Sequence, residues 1–297
     1  MDLLSIIYVI ICPMKKQTTV QSYAKLNLAL AITGVGQSGF HSVDMIMQEV
    51  SLHDTITLQP ADTIFVDCGD VCEMHRNTAY KAAQLFFAQT GLPGGVSIHI
   101  QKRIPAQGGL GGGSSNAAAV LLALDNMFET ALPQNTLAVL AGQIGSDVPF
   151  FLHGGCMRAQ GRGEALSSLP NNLDAQYLLV KPDAGVGTAR AYQLSDALGP
   201  VHVEIDQVAD ALRQGDAAAY FSSTGNALYP AAQQLCPPVS RTVDDLKQAG
   251  ADFAMMTGSG SCVFGIFTDP ALLQQAETVL KSRYPFVQSV HNVFRGR

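Results

Sequence analysis

The segment Pro105-Ala-Gln-Gly-Gly-Leu-Gly-Gly-Gly-Ser-Ser115 places five glycines in six residues. Glycine loses more backbone freedom on folding than any other residue, so a plain turn seldom needs so many. What such a run offers is close approach: without Cβ atoms, successive N–H groups can wrap the oxygens of a phosphate. Residues 114–128 are rich in Ala and Leu and predict a helix. Its first turn would add unpaired N–H groups and a positive dipole end. Ser114 and Ser115 can cap that helix, and one hydroxyl could reach a phosphate or Mg²⁺. A Walker-type loop is excluded, because no Gly-Lys-Ser/Thr follows. The plainer alternative is a flexible loop ahead of a helix.

Two other glycine clusters flank this one. Gly34-Val-Gly-Gln-Ser-Gly39 spells G-x-G-x-x-G, but a dinucleotide site needs that loop to open a helix. The residues after it, FHSVDMIMQEVSL, alternate and are rich in β-formers, so a hairpin loop is predicted. Thr257-Gly-Ser-Gly-Ser261 sits between two apolar strand segments and reads as a tight turn. Its small residues would also let another segment, such as the 105–115 loop, come close.

Composition bounds the rest. The chain has 297 residues with 18 Lys+Arg against 24 Asp+Glu, a formal charge of −6, and only 14% of its residues are charged. An ordinary domain has about 25%. With 47% hydrophobic residues, disorder is excluded, and without a basic block the chain is a poor wrapper of nucleic acid. Positive potential for an anionic ligand must therefore be built locally. Six cysteines, at 12, 68, 72, 156, 236 and 262, lack zinc spacing and read as reduced thiols of a cytoplasmic protein. The opening MDLLSIIYVIICP has an apolar run from Leu3 to Cys12, ten residues, where a spanning helix needs roughly twenty. Residues 1–13 are expected to be an extension without a role in the fold, and no membrane association is expected.

Periodicity predicts strands at 20–32, 43–52, 55–58, 96–101, 177–181, 253–256, 262–267 and 286–293. Helices are predicted at 78–90, 114–128, 136–144, 205–213, 216–222, 239–249 and 270–283. Helices and strands mix in both halves without regular βαβ alternation, which indicates two α+β domains. The turn-rich SSLPNNLD at 167–174 marks the boundary, giving domains at 14–170 and 171–297.

Several motifs together resemble the GHMP kinases. The 105–115 loop is similar to that family's phosphate loop, and Thr257-Gly-Ser-Gly-Ser-Cys262 to its C-terminal glycine motif. Further matches are Ala24-Lys25-Leu-Asn27-Leu28, Gly39-Phe-His41, Asp54-Thr-Ile56 and Gly145-Ser-Asp147-Val-Pro-Phe-Phe151. The likeness runs from about Tyr23 to the C-terminus, and is closest to the branch that phosphorylates a cytidine diphosphate-linked methylerythritol. It implies an N-terminal domain like the second domain of ribosomal S5 and a ferredoxin-like C-terminal domain, with the site in the cleft between.

The resemblance also implies roles. ATP would be co-substrate with Mg²⁺, held by Pro105, Ala106, Gln107, Gly108, Gly109, Leu110, Gly111, Gly112, Gly113, Ser114, Ser115 and Lys102. Asp147 would accept the proton of the acceptor hydroxyl, with Lys25 as its electrostatic partner. A solvated outer face is the bland alternative for Lys25, which points away from Ala24 and Leu26. Asn27 shares the strand face of Lys25. His41 would hydrogen-bond cytosine, and Phe40 and Tyr192 would sandwich the base. Phe40 stands where many relatives have Tyr, Ser146 where Ala or Gly is usual, and Gly187 where Ser is frequent. The partner would be a small molecule, bound by a monomer or homodimer. Other readings are a GHMP kinase for mevalonate, homoserine or galactose, or a non-catalytic sensor on the same fold.

Overall fold

The computed structural model describes residues 17–36, 40–69 and 74–294. Expectations for residues 1–13, Gly39, Cys12 and Cys72 fall outside the described residues. Strand β1 (Thr18–Val35) pairs antiparallel with β2 (His41–Ala61) along its whole length. Gly36 N–H donates to the Phe40 carbonyl at 2.8 Å, as a hairpin connection should. The two strands expected at 43–52 and 55–58 are one strand, because a bulge absorbs Ser51 and Leu52: Ala24 faces Val50 while Tyr23 faces His53.

Strand β3 (Phe65–Asp67) runs parallel to β4 (Gly95–Gln101), which pairs with the second half of β2. Strand β5 (Cys156–Gly161) pairs with the first half of β2 and with β6 (Ala165–Ser168). Helix α1 (Thr78–Thr90) begins where the Asn77 side chain accepts from Ala79 N–H and stops at Gly91 in the left-handed region. Helices α2 (Gly112–Met127), α3 (Gln134–Ile144) and α4 (Val148–His153) complete this half. The six residues of α4 are too few for a periodic signal and were not anticipated.

The second half holds strand β7 (Gln176–Lys181), helices α5 (Thr188–Leu198), α6 (Ile205–Gln214), α7 (Ala217–Ser223), α8 (Tyr229–Leu235) and α9 (Pro238–Gln248), strands β8 (Phe253–Met256) and β9 (Val263–Phe267), α10 (Pro270–Lys281) and β10 (Phe286–Val290). The sheet order is β10-β7-β9-β8, every neighbour antiparallel. That is the split βαββαβ order of a ferredoxin-like domain. The last strand ends at Val290, short of the expected 293, because the chain crosses to the first sheet, where Val293 N–H donates to the Glu49 carbonyl.

The middle of β1 is buried on both faces. Leu26, Leu28 and Ala29 pack with Ile46 and, from the second half, with Leu179, Val208, Leu212 and Phe264. Leu30, with Met45 and Met47, belongs to the other core, with α1 and α2. A strand sandwiched this way reads as a continuous apolar run, so each polar residue in it is conspicuous. Among the described residues, no helix is long and apolar enough to cross a membrane.

Candidate active site

The polar residues in that buried stretch, Lys25 and Asn27, project onto the floor of a cavity of about 1270 Å³. The cavity is lined by the 105–114 loop, by the Gly258–Gly260 turn, and by Phe40, His41, Lys102, Asp147 and Tyr192. Lys25 is 4% exposed, so it does not sit on a solvated face. Its Nζ donates to Asn27 Oδ1 and lies 3.8 Å from Asp147 Oδ2. Burial lowers the Lys25 pKa, and the Asp147 carboxylate works against that shift. Asp147 ends the Gly145-Ser-Asp turn at the start of α4, its side chain 30% exposed.

The glycine loop is fixed from two sides. Lys25 N–H donates to the Leu110 carbonyl at 3.0 Å, tying the loop to β1. Ser261 and Cys262 donate their N–H groups to the carbonyls of Gln107 and Gly108, each at 3.2 Å. The turn at 257–261 therefore receives the phosphate-type loop, as its small residues permit. Gly109, at φ +73°, has its missing Cβ 2.2 Å from the Thr257 carbonyl oxygen. Gly111, at φ +72°, would place a Cβ 2.7 Å from Phe151 and 3.1 Å from the Lys25 stem. The glycines here answer both to left-handed backbone and to neighbours that leave no room.

Helix α2 begins earlier than the sequence suggests. Its N-cap is Gly111, without a side-chain cap, and Gly112 and Gly113 are already helical. Ser114 and Ser115 thus lie inside the first turn and do not cap it. Ser114 remains at the cavity, but Ser115 does not: it is 2% exposed, and its Oγ accepts from Ser22 Oγ at 2.8 Å. The expectation that Ser115 faces the nucleotide is corrected on that ground, since helical geometry turns position 115 toward the core.

Lys102 lines the cavity, yet it is anchored. Its ammonium donates to Asp54 Oδ2 and to Asn116 Oδ1, the latter at 3.1 Å. Asp54 is fully buried and also accepts from Arg103 N–H (2.7 Å), Ile104 N–H (2.8 Å) and Asn116 Nδ2 (2.9 Å). This carboxylate joins β2, the entry to the loop and α2. The Asp54-Thr-Ile56 match flagged the residue but not this role, because its partners lie far along the chain.

At the opposite end, His41 stacks on Tyr192 with ring centroids 4.6 Å apart and planes at 34°. His41 Nε2 is 2.7 Å from Asp196 Oδ1. Burial, reinforced by the Asp147 charge, pushes the Tyr192 phenol up to about 12, so it stays protonated at neutral pH. Phe40 is 56% exposed, with the Arg162 guanidinium 4.0 Å above its ring. One ring partner of His41 and one face of Phe40 are thus occupied, an arrangement that the expected Phe40–Tyr192 sandwich did not include. Arg162, on the β5–β6 turn, and Asp196 escaped sequence reading because each acts through residues distant in the chain.

A cavity walled by a glycine loop, with a Lys–Asp pair on its floor, is the plan of a small-molecule kinase. Residues 77–155 match the GHMP kinases N terminal domain and residues 208–285 the GHMP kinases C terminal domain, and the chain belongs to that family. A relative from Desulfitobacterium hafniense (strain Y51), named 4-diphosphocytidyl-2-C-methyl-D-erythritol kinase, is 38% identical over 285 residues, 95% of this chain and 98% of its own. Another of that name, from Pelotomaculum thermopropionicum, is 40% identical over 84% of this chain and 89% of its own. The crystal structure of a 4-(cytidine 5'-diphospho)-2C-methyl-D-erythritol kinase matches with TM-score 0.78 at 30% identity, covering 92% of this chain and 99% of that one. The two-domain α+β fold is that of the family.

Proposed function

We propose that this chain transfers the γ-phosphoryl group of ATP to the 2-hydroxyl of 4-diphosphocytidyl-2-C-methyl-D-erythritol, a step of non-mevalonate isoprenoid precursor synthesis. The observation that carries the reading is the Lys25–Asp147 pair on the floor of a cavity that joins the glycine loop to the His41–Tyr192 stack. A binding module has no need of a carboxylate beside a buried ammonium. The relatives' names support the acceptor assignment.

In this reading Asp147 takes the acceptor's hydroxyl proton as its oxygen bonds to the γ-phosphorus, and ADP leaves with the bridging oxygen. Lys25 favours the alkoxide and holds Asp147 in place, while Asn27 orients the ammonium. The loop from Pro105 to Ser114 cradles the phosphates with N–H groups, and the α2 dipole adds positive potential. Lys102, held by Asp54 and Asn116, presents its ammonium beneath the loop as an ATP contact. His41, Tyr192 and Phe40 grip the cytidine end.

Among the described residues, no cluster of three or more His, Cys, Asp or Glu could hold a metal. Mg²⁺ is commonly held by substrate phosphates and water with one or two carboxylates, so a nucleotide-borne ion fits a cavity whose lining offers the Asp147 carboxylate and hydroxyls such as that of Ser114. It would supply charge neutralisation on the β- and γ-phosphates. We take 14–170 as the ATP-binding domain and 171–297 as the second domain, a division supported by the start of the second sheet at Gln176. We also take the setting to be the cytosol; the unbridged Cys68, Cys156, Cys236 and Cys262 accord with it.

The test is ADP release by purified protein on the cytidylylated substrate against mevalonate, homoserine and galactose. Turnover on the first is expected, and turnover confined to one of the others overturns the reading.

A further inference from the structure

We propose that Asp196 is a positioning residue for acceptor recognition, latching the His41 imidazole of the first sheet onto helix α5 of the second half. The inference rests on the reading of this end of the cavity as a cytidine clamp. His41 opens β2, and Tyr192 and Asp196 stand one turn apart on the same face of α5. The imidazole is therefore restrained in two directions: its face by the Tyr192 ring at 4.6 Å, its edge by Asp196 Oδ1 at 2.7 Å. The His41 side chain is 13% exposed, whereas that of Asp196 is 48% exposed. The ring is shielded while its anchor remains at the surface.

The chemistry of the latch has a direction. An ionised carboxylate can only accept a hydrogen bond, so Nε2 must carry the proton in this contact. In the neutral ring Nδ1 is then an acceptor, and the tautomer is fixed by a partner on the other nitrogen. An acceptor at Nδ1 complements an amino donor such as N4 of cytosine. It does not complement the carbonyl that uracil carries at the same position. Asp196 thus makes a residue competent to tell cytidine from uridine, without itself touching the ligand.

Asp196 is half exposed on a helix surface, so its replacement leaves the core intact. Asp196→Ala is expected to raise KM for the cytidylylated substrate about tenfold, with kcat and KM for ATP within about twofold, the size of one lost charge-assisted hydrogen bond. Asp196→Asn keeps an acceptor oxygen and should recover most of that loss. Inhibition by CDP and UDP is the sharper readout: the preference for CDP should narrow in Asp196→Ala. The double variant with His41→Ala should be no worse than His41→Ala alone, because Asp196 acts through that ring. Additive losses, a fall in kcat, or an unchanged CDP/UDP ratio would each overturn the proposal. Histidine ¹⁵N spectra of the ligand-free protein separate this inference from the reaction itself. The latch requires a hydrogen-bonded, exchange-protected Nε2–H signal for His41 whose protection and downfield shift are lost in Asp196→Ala, whether or not the wild type turns over the cytidylylated substrate. An unchanged spectrum refutes the latch even if turnover is observed, and absent turnover with the signature intact refutes only the substrate.

Discussion

Replacing Gly109 by alanine tests the assembly of the site with a single methyl group. Two penalties arise at this position. The backbone is left-handed at φ +73°, which costs a Cβ-bearing residue roughly 1–2 kcal/mol. The new Cβ would also fall 2.2 Å from the Thr257 carbonyl oxygen and 3.2 Å from Gly260 N, both backbone atoms that cannot rotate away. Overpacking of that kind costs about 1–3 kcal/mol, so the expected loss is about 2–5 kcal/mol. The alternative to enduring the clash is separation of the loop from the turn. That sacrifices the hydrogen bonds from Ser261 and Cys262 to Gln107 and Gly108 and leaves the loop without its wall. Either way, chemical unfolding should show a lower midpoint at unchanged slope, and KM for ATP should rise. Gly142→Ala is the control, since its Cβ meets open space inside α3, and it should stabilise by up to about 1 kcal/mol. A Gly109→Ala protein with unfolding free energy within about 0.5 kcal/mol of wild type, the spread of ordinary surface substitutions, and unaltered KM for ATP would refute the reasoning.

Asp147→Asn should lower kcat by about 10²–10⁴, the usual worth of a general base, while calorimetric ATP affinity persists. Lys25→Met should abolish turnover without unfolding the protein, because an apolar side chain replaces a buried ammonium. Its pH dependence has a definite sign. Burial lowers the folded pKa of Lys25 below 10.5, so between the folded value and 10.5 the unfolded chain binds more protons and stability rises with pH. Denaturant titrations should therefore show wild type gaining stability relative to Lys25→Met as pH rises through the lowered folded pKa towards 10.5, and losing none of it on that path. Asp54→Ala should cost about 3–5 kcal/mol in unfolding free energy, as is usual when one partner of a buried charge pair is removed, since it strands the Lys102 ammonium and two backbone N–H groups.

Local signals carried the elements that close on themselves. Helix α1 was legible to the residue, because Asn77 caps it, Gly91 ends it, and its apolar positions recur at helical spacing. Strand β8 was equally clear, whereas β1, expected at 20–32, runs from Thr18 to Val35. Helix α5 was not, as it buries little beyond Ala191 and Ser195 and shows no broad apolar stripe. The bulge in β2 was hidden because it is defined by pairing with β1 and not by the residues of β2. At the site, the glycine loop pointed to phosphate chemistry through the physics of N–H groups, with a plain loop as the alternative. The roles proposed for Lys25 and Asp147 rest on the family resemblance, since no local rule brings residue 25 beside residue 147. Ser115 misled because a serine after glycines looks like a cap, whereas the helix had already begun at Gly112.

The docking of the 257–261 turn against Gly108 and Gly109 also sets an order of events in the life of the molecule. Synthesis is vectorial, and the loop leaves the ribosome long before the segment that braces it. A nascent chain ending ahead of Thr257 has Gln107 and Gly108 carbonyls with no Ser261 or Cys262 to meet them. Its β1 also lacks the later partner Phe264 along one face. On the proposed reading of the loop, nucleotide affinity is therefore a property of the completed chain, acquired at the end of folding. A product truncated before Thr257 is expected to bind ATP more weakly than the full chain, which calorimetry on the two proteins checks.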